Sequence, residues 1–373
     1  MSTVHVALAE RSYDIQIQAG TLGQVAGAQV LESFCEVAIL SNETVAPLYA
    51  EKLAEELRAA GKRVLVFNAP EGEKSKSLEW MSKAYDALAE FNLSRRGVLV
   101  AVGGGVVGDW AGFVAASWMR GVAFLQVPTT LLAMVDSSVG GKVGINHPRA
   151  KNLIGAFHQP VGVLIDPNTL QTLPPREVRA GLAEVIKYGV IADADFFAWL
   201  EMNIENALTL EPRVLEKIIA RSCEIKAEVV GEDERESDAI GRRAILNYGH
   251  TIGHAIEANT AYGQYLHGEA IAVGMTAAAY LTKVLGICEN VDDLIERQTQ
   301  LFQRAGLPVE MPAELDFVKL WDAMLLDKKS RSGKVNFLLP TRLGYVEKVE
   351  GVAPGAVEEA LKLMRDAQRS RAI

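Results

Sequence analysis

The 373-residue chain has few cysteines, few histidines and no surplus of positive charge. Its three cysteines, Cys35, Cys223 and Cys288, are odd in number and far apart, which argues against a disulfide framework and fits a reducing compartment. Lysine and arginine total 38 against 47 aspartates and glutamates, a formal net charge of -9. With no basic excess to replace phosphate counterions, a general nucleic-acid binder is not expected. An anionic substrate must therefore meet a local cluster of Lys and Arg. No uninterrupted apolar stretch approaches ~20 residues, which argues against a membrane span. The N-terminus, MSTVHVALAERSYDI, lacks the basic-then-apolar pattern of a signal peptide. A soluble cytoplasmic protein with no membrane or nucleic-acid partner is the expectation.

The residues that are present describe an ordinary globular protein, 49% apolar and 23% charged, too long for one core, so two domains are the natural prior. Residues 37–40, 63–67, 98–102, 124–127 and 161–165 read as buried strands, with amphipathic stretches at 45–60 and 77–91 between some of them. This β-α alternation predicts a parallel sheet with helices on its faces. Residues 4–8 and 13–17 read as an added hairpin. After Pro174-Pro175 the pattern turns helical, over 178–191, 213–230, 246–258, 269–285, 291–305, 317–326 and 357–367, with a small hairpin around 335–339 and 344–349. Pro212 just inside one helix start and Gly286 just past one end are the expected punctuation. The boundary is placed near residue 175, giving domains 1–175 and 176–373.

Half of the six histidines fall in one stretch, RRAILNYGHTIGHAIEANTAYGQYLHGE from Arg242 to Glu269. His250 and His254 are one helical turn apart, and Gly249 and Gly253 directly precede them, which points to close approach by another group. Such imidazoles share a metal, or one binds metal while its neighbour meets substrate. A buried helix with hydrogen-bonded histidines is the alternative. Glu184 and Lys187, one turn apart in an apolar context, read as a salt bridge, yet the carboxylate also completes a Glu/His/His metal set.

Strand 98–102 runs into Gly103-Gly104-Gly105-Val106-Val107-Gly108-Asp109, the spacing of a dinucleotide fingerprint at a helix N-terminus. The usual acidic residue about twenty positions later is missing, so a non-standard Rossmann variant is preferred over a purely structural turn. A polar loop, Pro70-Glu71-Gly72-Glu73-Lys74-Ser75-Lys76, follows an earlier strand, where open α/β sheets bind ligands. Residues 129–152 read as a glycine- and hydroxyl-rich loop containing Asp136, Lys142, Lys151 and Asn152, able to hold phosphate through backbone N–H groups and ammonium charge. Arg120, Lys226, Arg242, Arg243, Lys328 and Lys329 supply further local positive charge.

In order, PEGEKSK, GGGVVGDWAGFVAASWMRG, VPTTLLAMVDSSVGGKVGIN, KNLIGAFHQP, LPPREVRAGLAEVIKYG, NYGHTIGHAIEA, HGEAIAVGM and DKKSRSGKVNFLLP make the chain resemble the 3-dehydroquinate synthases of the sugar phosphate cyclase family. The resemblance implies a homodimer with a Rossmann-like, NAD-binding α/β domain and a mainly helical domain for metal and substrate. It implies conversion of 3-deoxy-D-arabino-heptulosonate 7-phosphate to 3-dehydroquinate and phosphate. Other readings are another sugar phosphate cyclase or a metal-dependent polyol dehydrogenase. By match to the family pattern, Glu184, His250 and His267 bind a divalent zinc or cobalt ion. NAD contacts are implied for Asn42, for the Glu71, Gly72, Glu73, Lys74, Ser75 and Lys76 loop, and for Gly103, Gly104, Gly105, Val106, Val107, Gly108 and Asp109. They extend to Thr129, Thr130, Lys142 and Lys151, and to Thr169, Leu170, Gln171 and Thr172. Substrate contacts fall to Arg120, Lys142, Asn152, Lys226, Arg243 and Asn247, with Lys328 or Lys329. His254, Glu236, Lys187 and Asp136 are the catalytic candidates. One departure stands out: the family's Glu-x-Gly-x-Arg spacing is lengthened here, with Ser237-Asp238-Ala239-Ile240-Gly241-Arg242 between Glu236 and Arg243.

Overall fold

The computed structural model describes residues 1–236, 241–260, 264–312, 314–327 and 335–371. Two compact units emerge, Met1–Leu173 with Leu215–Arg235, and Pro174–Val214 with Glu236–Ile373.

The first unit is built from β1 (Ser2–Val6), β2 (Tyr13–Ile17), α1 (Gln29–Glu32), β3 (Glu36–Asn42), α2 (Glu51–Ala59), β4 (Arg63–Ala69), α3 (Leu78–Phe91), β5 (Val98–Gly103), α4 (Gly105–Ser117), β6 (Ala123–Pro128), β7 (Lys142–His147), β8 (Ala150–Phe157) and β9 (Gly162–Ile165). Seven strands form one sheet in the order β1-β2-β9-β6-β5-β3-β4. Only the β1–β2 pair is antiparallel; the other pairings run parallel. The apolar runs explain this arrangement. In β5, Leu99 and Ala101 enter one apolar cluster with Trp110 and Val114 of α4, while Val98, Val100 and Val102 enter another with Leu53 and Leu57 of α2. A strand buried on both faces needs no polar alternation, and each fully buried Val or Leu contributes about 1.5–3 kcal/mol.

The stretch expected as a loop over 129–152 is instead partly a hairpin, in which β7 pairs antiparallel with β8. Its loop-like composition has a packing cause. A Cβ on Gly144 would lie 2.6 Å from Ile154 O, and one on Gly155 2.2 Å from Val143 O, so the glycines let two backbones meet.

The second unit contains α5 (Pro175–Ala192), α6 (Ala194–Leu208), the start of α7 (Pro212–Glu232), α8 (His250–Asn259), α9 (His267–Leu285), α10 (Val291–Arg304), α11 (Phe317–Asp327), an antiparallel β10 (Val335–Arg342) and β11 (Tyr345–Val352), and α12 (Pro354–Arg371). Helix α6 is absent from the sequence expectation, although Asp193 caps it by accepting the Phe196 N–H at 2.8 Å. The helix expected over 246–258 also begins later. Residues 242–247 form a 3-10 segment, and Gly249 sits at φ 78°, a left-handed conformation that no α-helix continues through. Among the described residues, no helix is long and apolar enough to cross a membrane.

Candidate active site

Close backbone packing in the helical unit brings three ligand-type side chains together. A Cβ on Gly268 of α9 would lie 1.9 Å from Ala180 O of α5, and one on Gly253 of α8 would lie 2.6 Å from Ile271 Cδ1 and 3.1 Å from Ala270 O, both on α9. The group that approaches the histidine helix closely is therefore α9. With no side chain to separate them, α5, α8 and α9 present Glu184, His250 and His267 to one another, each offering a ligand atom within 4.8 Å of the others.

Glu184 is fully buried, and its Oε1 accepts no hydrogen bond. Its Oε2 forms an ion pair with Lys187, itself buried. Its Oε1 faces His250 Nε2 at 3.7 Å and His267 Nε2 at 4.0 Å. Both the salt-bridge and the metal readings of Glu184 are thus compatible with one geometry. Ligand atoms held at about 2.0–2.2 Å around one tetrahedral ion lie roughly 3–3.5 Å apart, so a small inward shift of these three would seat a divalent cation.

The imidazoles are set in the tautomer that such a cation needs. His250 Nδ1 donates to Tyr248 O at 3.0 Å, and His267 Nδ1 contacts Glu257 Oε2 at 3.1 Å; both partners are acceptors, so Nε2 is the ring nitrogen that would meet a cation in each. Burial, then the Lys187 ammonium and the neighbouring His254 and His267, hold the His250 imidazole well below its ordinary pKa and keep it neutral. His254 stands beside both, its ring 5.3 Å from that of His250 and 6.0 Å from that of His267. The sequence reading missed Glu257 and the Tyr248 carbonyl. Glu257 was signalled by its place three residues after His254, on the same helical face.

In the α/β unit the glycine-rich turn has the expected strand-to-helix form. β5 ends at Gly103, Gly104 is the residue before the helix, and α4 starts at Gly105. The open backbone at the start of a 13-residue helix suits a pyrophosphate. Gly108 has a different task, because a Cβ there would lie 2.7 Å from Gln126 Oε1. Val107 and Leu170 are core side chains, so only their backbones are available to a ligand.

Around this turn lies a charged network. Lys76 Nζ, nearly buried, donates to Asp109 Oδ2 at 2.7 Å and also bonds Asn152 Oδ1. Asn146 joins Glu73 to Asn152, through its own Nδ2 and by accepting the Asn152 N–H at 2.9 Å. Burial raises the Asp109 carboxyl, and the Lys76 ammonium opposes that shift. Nearby, Asn42 Oδ1 accepts from Thr44 N and Val45 N, Thr44 bonds Glu71, and Tyr49 OH joins Thr172 and the Thr169 carbonyl. Thr130 lies 3.0 Å from the Cβ position of Gly104, and Thr129 N donates to Gly103 O.

The substrate candidates are spread over both units. Lys226 Nζ donates to Asp136 O and Asp136 Oδ1, both at 2.6 Å, within the α/β unit. Lys142, Lys151 and Asn152 lie exposed on the β7–β8 hairpin, and Arg120 is exposed with φ 67°. Arg243 is buried in the helical unit, where Asn247 Nδ2 donates to Glu236 Oε1 at 3.3 Å. Glu236 thus reaches the start of the histidine segment despite the lengthened spacing. Lys328, Lys329 and residues 237–240 lie outside the described residues.

Comparison with known proteins adds the family context. The 3-dehydroquinate synthase N-terminal family model matches residues 66–180, and the 3-dehydroquinate synthase C-terminal model matches 181–330. A 3-dehydroquinate synthase of Desulforamulus reducens is 52% identical over 349 residues, covering 93% of this chain and 96% of its own. The enzyme of that name from Nostoc punctiforme is 48% identical over 367 residues, 97% of this chain and 99% of its own. A crystal structure of 2-deoxy-scyllo-inosose synthase complexed with carbaglucose-6-phosphate, NAD+ and Co2+ superposes with a TM-score of 0.88 at 28% identity, covering 97% of this chain and 99% of that one.

Proposed function

The chain belongs to the 3-dehydroquinate synthase family, and we propose that it converts 3-deoxy-D-arabino-heptulosonate 7-phosphate to 3-dehydroquinate and inorganic phosphate, as a carbon–oxygen lyase with catalytic NAD and a divalent metal. The observation that carries the reading is a fully buried carboxylate, Glu184, whose Oε1 faces the Nε2 atoms of two imidazoles and accepts no hydrogen bond. When bound, the divalent ion supplies a Lewis acid for one substrate hydroxyl and NAD a temporary hydride acceptor.

The chain's own residues hold, orient and protonate. Glu184, His250 and His267 bind the ion, and the Lys187 ammonium balances the buried carboxylate. Helix α4 and the Gly103–Asp109 turn receive the NAD pyrophosphate, with Lys76, Lys151, Thr129, Thr130, Asn42 and the 169–172 segment around the rest of the cofactor. Arg243 and Lys226 meet the substrate carboxylate, while Lys142, Asn152, Asn247 and Arg120 meet its phosphate end. Phosphate leaves by elimination and the ring closes by an intramolecular aldol reaction, steps that demand fixed charge and proton carriers more than new covalent chemistry. His254, beside both ligand imidazoles, and Glu236, in reach of Asn247, are those carriers. The assembly is read as a cytoplasmic homodimer, as the family resemblance implies.

The test is a single assay with purified protein, the heptulosonate phosphate, NAD and zinc or cobalt, following phosphate release and NADH absorbance together. Phosphate release without lasting NADH supports the synthase. Lasting NADH with an unphosphorylated polyol contradicts it in favour of a dehydrogenase.

A further inference from the structure

His250 depends on a turn, and that turn is anchored from two other helices. Tyr248 at φ −56°, ψ 127° and Gly249 at φ 78°, ψ −19° form the central pair of a type II turn over 247–250. In this turn type the peptide between them is rotated relative to the commoner type I form. The rotation presents Tyr248 O to His250 Nδ1 at 3.0 Å. A carbonyl only accepts, so the contact places the ring proton on Nδ1 and leaves the Nε2 lone pair for a cation.

The Tyr248 side chain is fully buried. Its Oη lies 3.1 Å from Met275 O on α9 and 2.8 Å from Gln298 Oε1 on α10. One proton cannot serve two acceptors. Turning the Gln298 amide by 180° places Nε2 against Tyr248 Oη, which also satisfies a buried nitrogen that otherwise has no partner. The bonds then run in one direction, from Gln298 Nε2–H to Tyr248 Oη and from Tyr248 Oη–H to Met275 O. Gly249 closes the same region, since a Cβ on it would lie 2.8 Å from Met275 N.

We propose that Tyr248 and Gln298 are positioning residues of the metal site, clamping the type II turn whose carbonyl fixes the His250 tautomer. The inference rests on the reading of Glu184, His250 and His267 as metal ligands. Mutation of partners that support a ligand typically costs 10–100-fold in metal affinity, so an effect at the low end of that range, about tenfold, is expected at Tyr248 and a smaller one at Gln298.

The test uses full-length protein loaded with one equivalent of Co2+ and challenged with EDTA, reading cobalt loss by visible absorbance and metal analysis. Tyr248→Phe is expected to lose cobalt about tenfold faster than wild type, and Gln298→Met by a smaller factor. Excess cobalt restores turnover in both, and NAD affinity is unchanged. A lowered melting temperature with wild-type cobalt loss in both variants overturns the proposal. If Tyr248→Phe fails to fold, Gln298→Met decides alone: faster loss supports the clamp and wild-type loss overturns it. His250→Ala separates the two levels. If it retains cobalt, the metal reading itself falls. If it sheds cobalt while Tyr248→Phe and Gln298→Met hold theirs, only the clamp falls.

Discussion

In the helical unit, Glu184, His250 and His267 are held by three tightly packed helices, and the carboxylate oxygen facing the imidazoles accepts no hydrogen bond. In the α/β unit, Glu73, Lys76, Asp109, Asn146 and Asn152 bond one another, and the lysines named for phosphate lie exposed on a hairpin. The first arrangement has unmet demand built into its geometry. The second is already satisfied within itself and offers a ligand chiefly backbone N–H groups and solvent-exposed ammonium charge. Metal binding should therefore be all-or-none with respect to single side chains, whereas cofactor binding should fall in increments.

The largest effect that would sharpen this contrast is expected from His250→Ala. Loss of a metal contribution of several kcal/mol corresponds to a fall in turnover of at least about 1000-fold, with metal retention lost and helical circular dichroism nearly intact. Full activity in this variant would break the comparison at its centre. Glu184→Gln comes next. It leaves the Lys187 ammonium buried without its counter-charge, which should cost about 3–5 kcal/mol of stability, and Glu184→Gln/Lys187→Met should recover much of that loss in denaturant melts without recovering metal.

On the other side of the contrast, Asp109→Asn removes the negative charge paired with Lys76. It should cost about 1.5–3 kcal/mol and weaken NAD about tenfold while leaving cobalt retention unchanged. A fall in cobalt retention as large as that in NAD affinity would show that the two sets of residues are not independent. The smallest effect concerns thiols. Burial pushes the Cys223 thiol up to about 12, and its Sγ lies 3.3 Å from Met134 O, whereas Cys35 is exposed. At pH 8, well below that value, Cys223 stays protonated, so iodoacetamide followed by mass spectrometry should mark Cys35 and spare Cys223 until the protein unfolds.

The parallel sheet was legible because β3, β5 and β6 are apolar runs without alternation, each followed by a helical pattern or a glycine-rich turn. The cluster of ligand-type side chains was legible from His250, His254 and His267 in one stretch, with Glu184 in an apolar helix. What escaped had identifiable causes. The β7–β8 hairpin hid behind Gly144 and Gly155, whose absent side chains permit backbone contact but read as loop composition. The late start of α8 escaped because Gly249 fits a helical spacing while adopting a left-handed backbone. Partners that act through a main-chain atom, such as the Tyr248 carbonyl, leave no side-chain signature at all. The bonds tying Gln298 and Met275 to Tyr248 arise only when α8, α9 and α10 pack.

The central claim is tested most directly by anomalous diffraction from crystals loaded with one equivalent of zinc or cobalt. The account predicts a single ion within about 2.0–2.2 Å of Glu184 Oε1, His250 Nε2 and His267 Nε2. An ion seated instead among His254, Glu257 and His267, the other ligand-type group among the described residues, or no ordered ion, would contradict it.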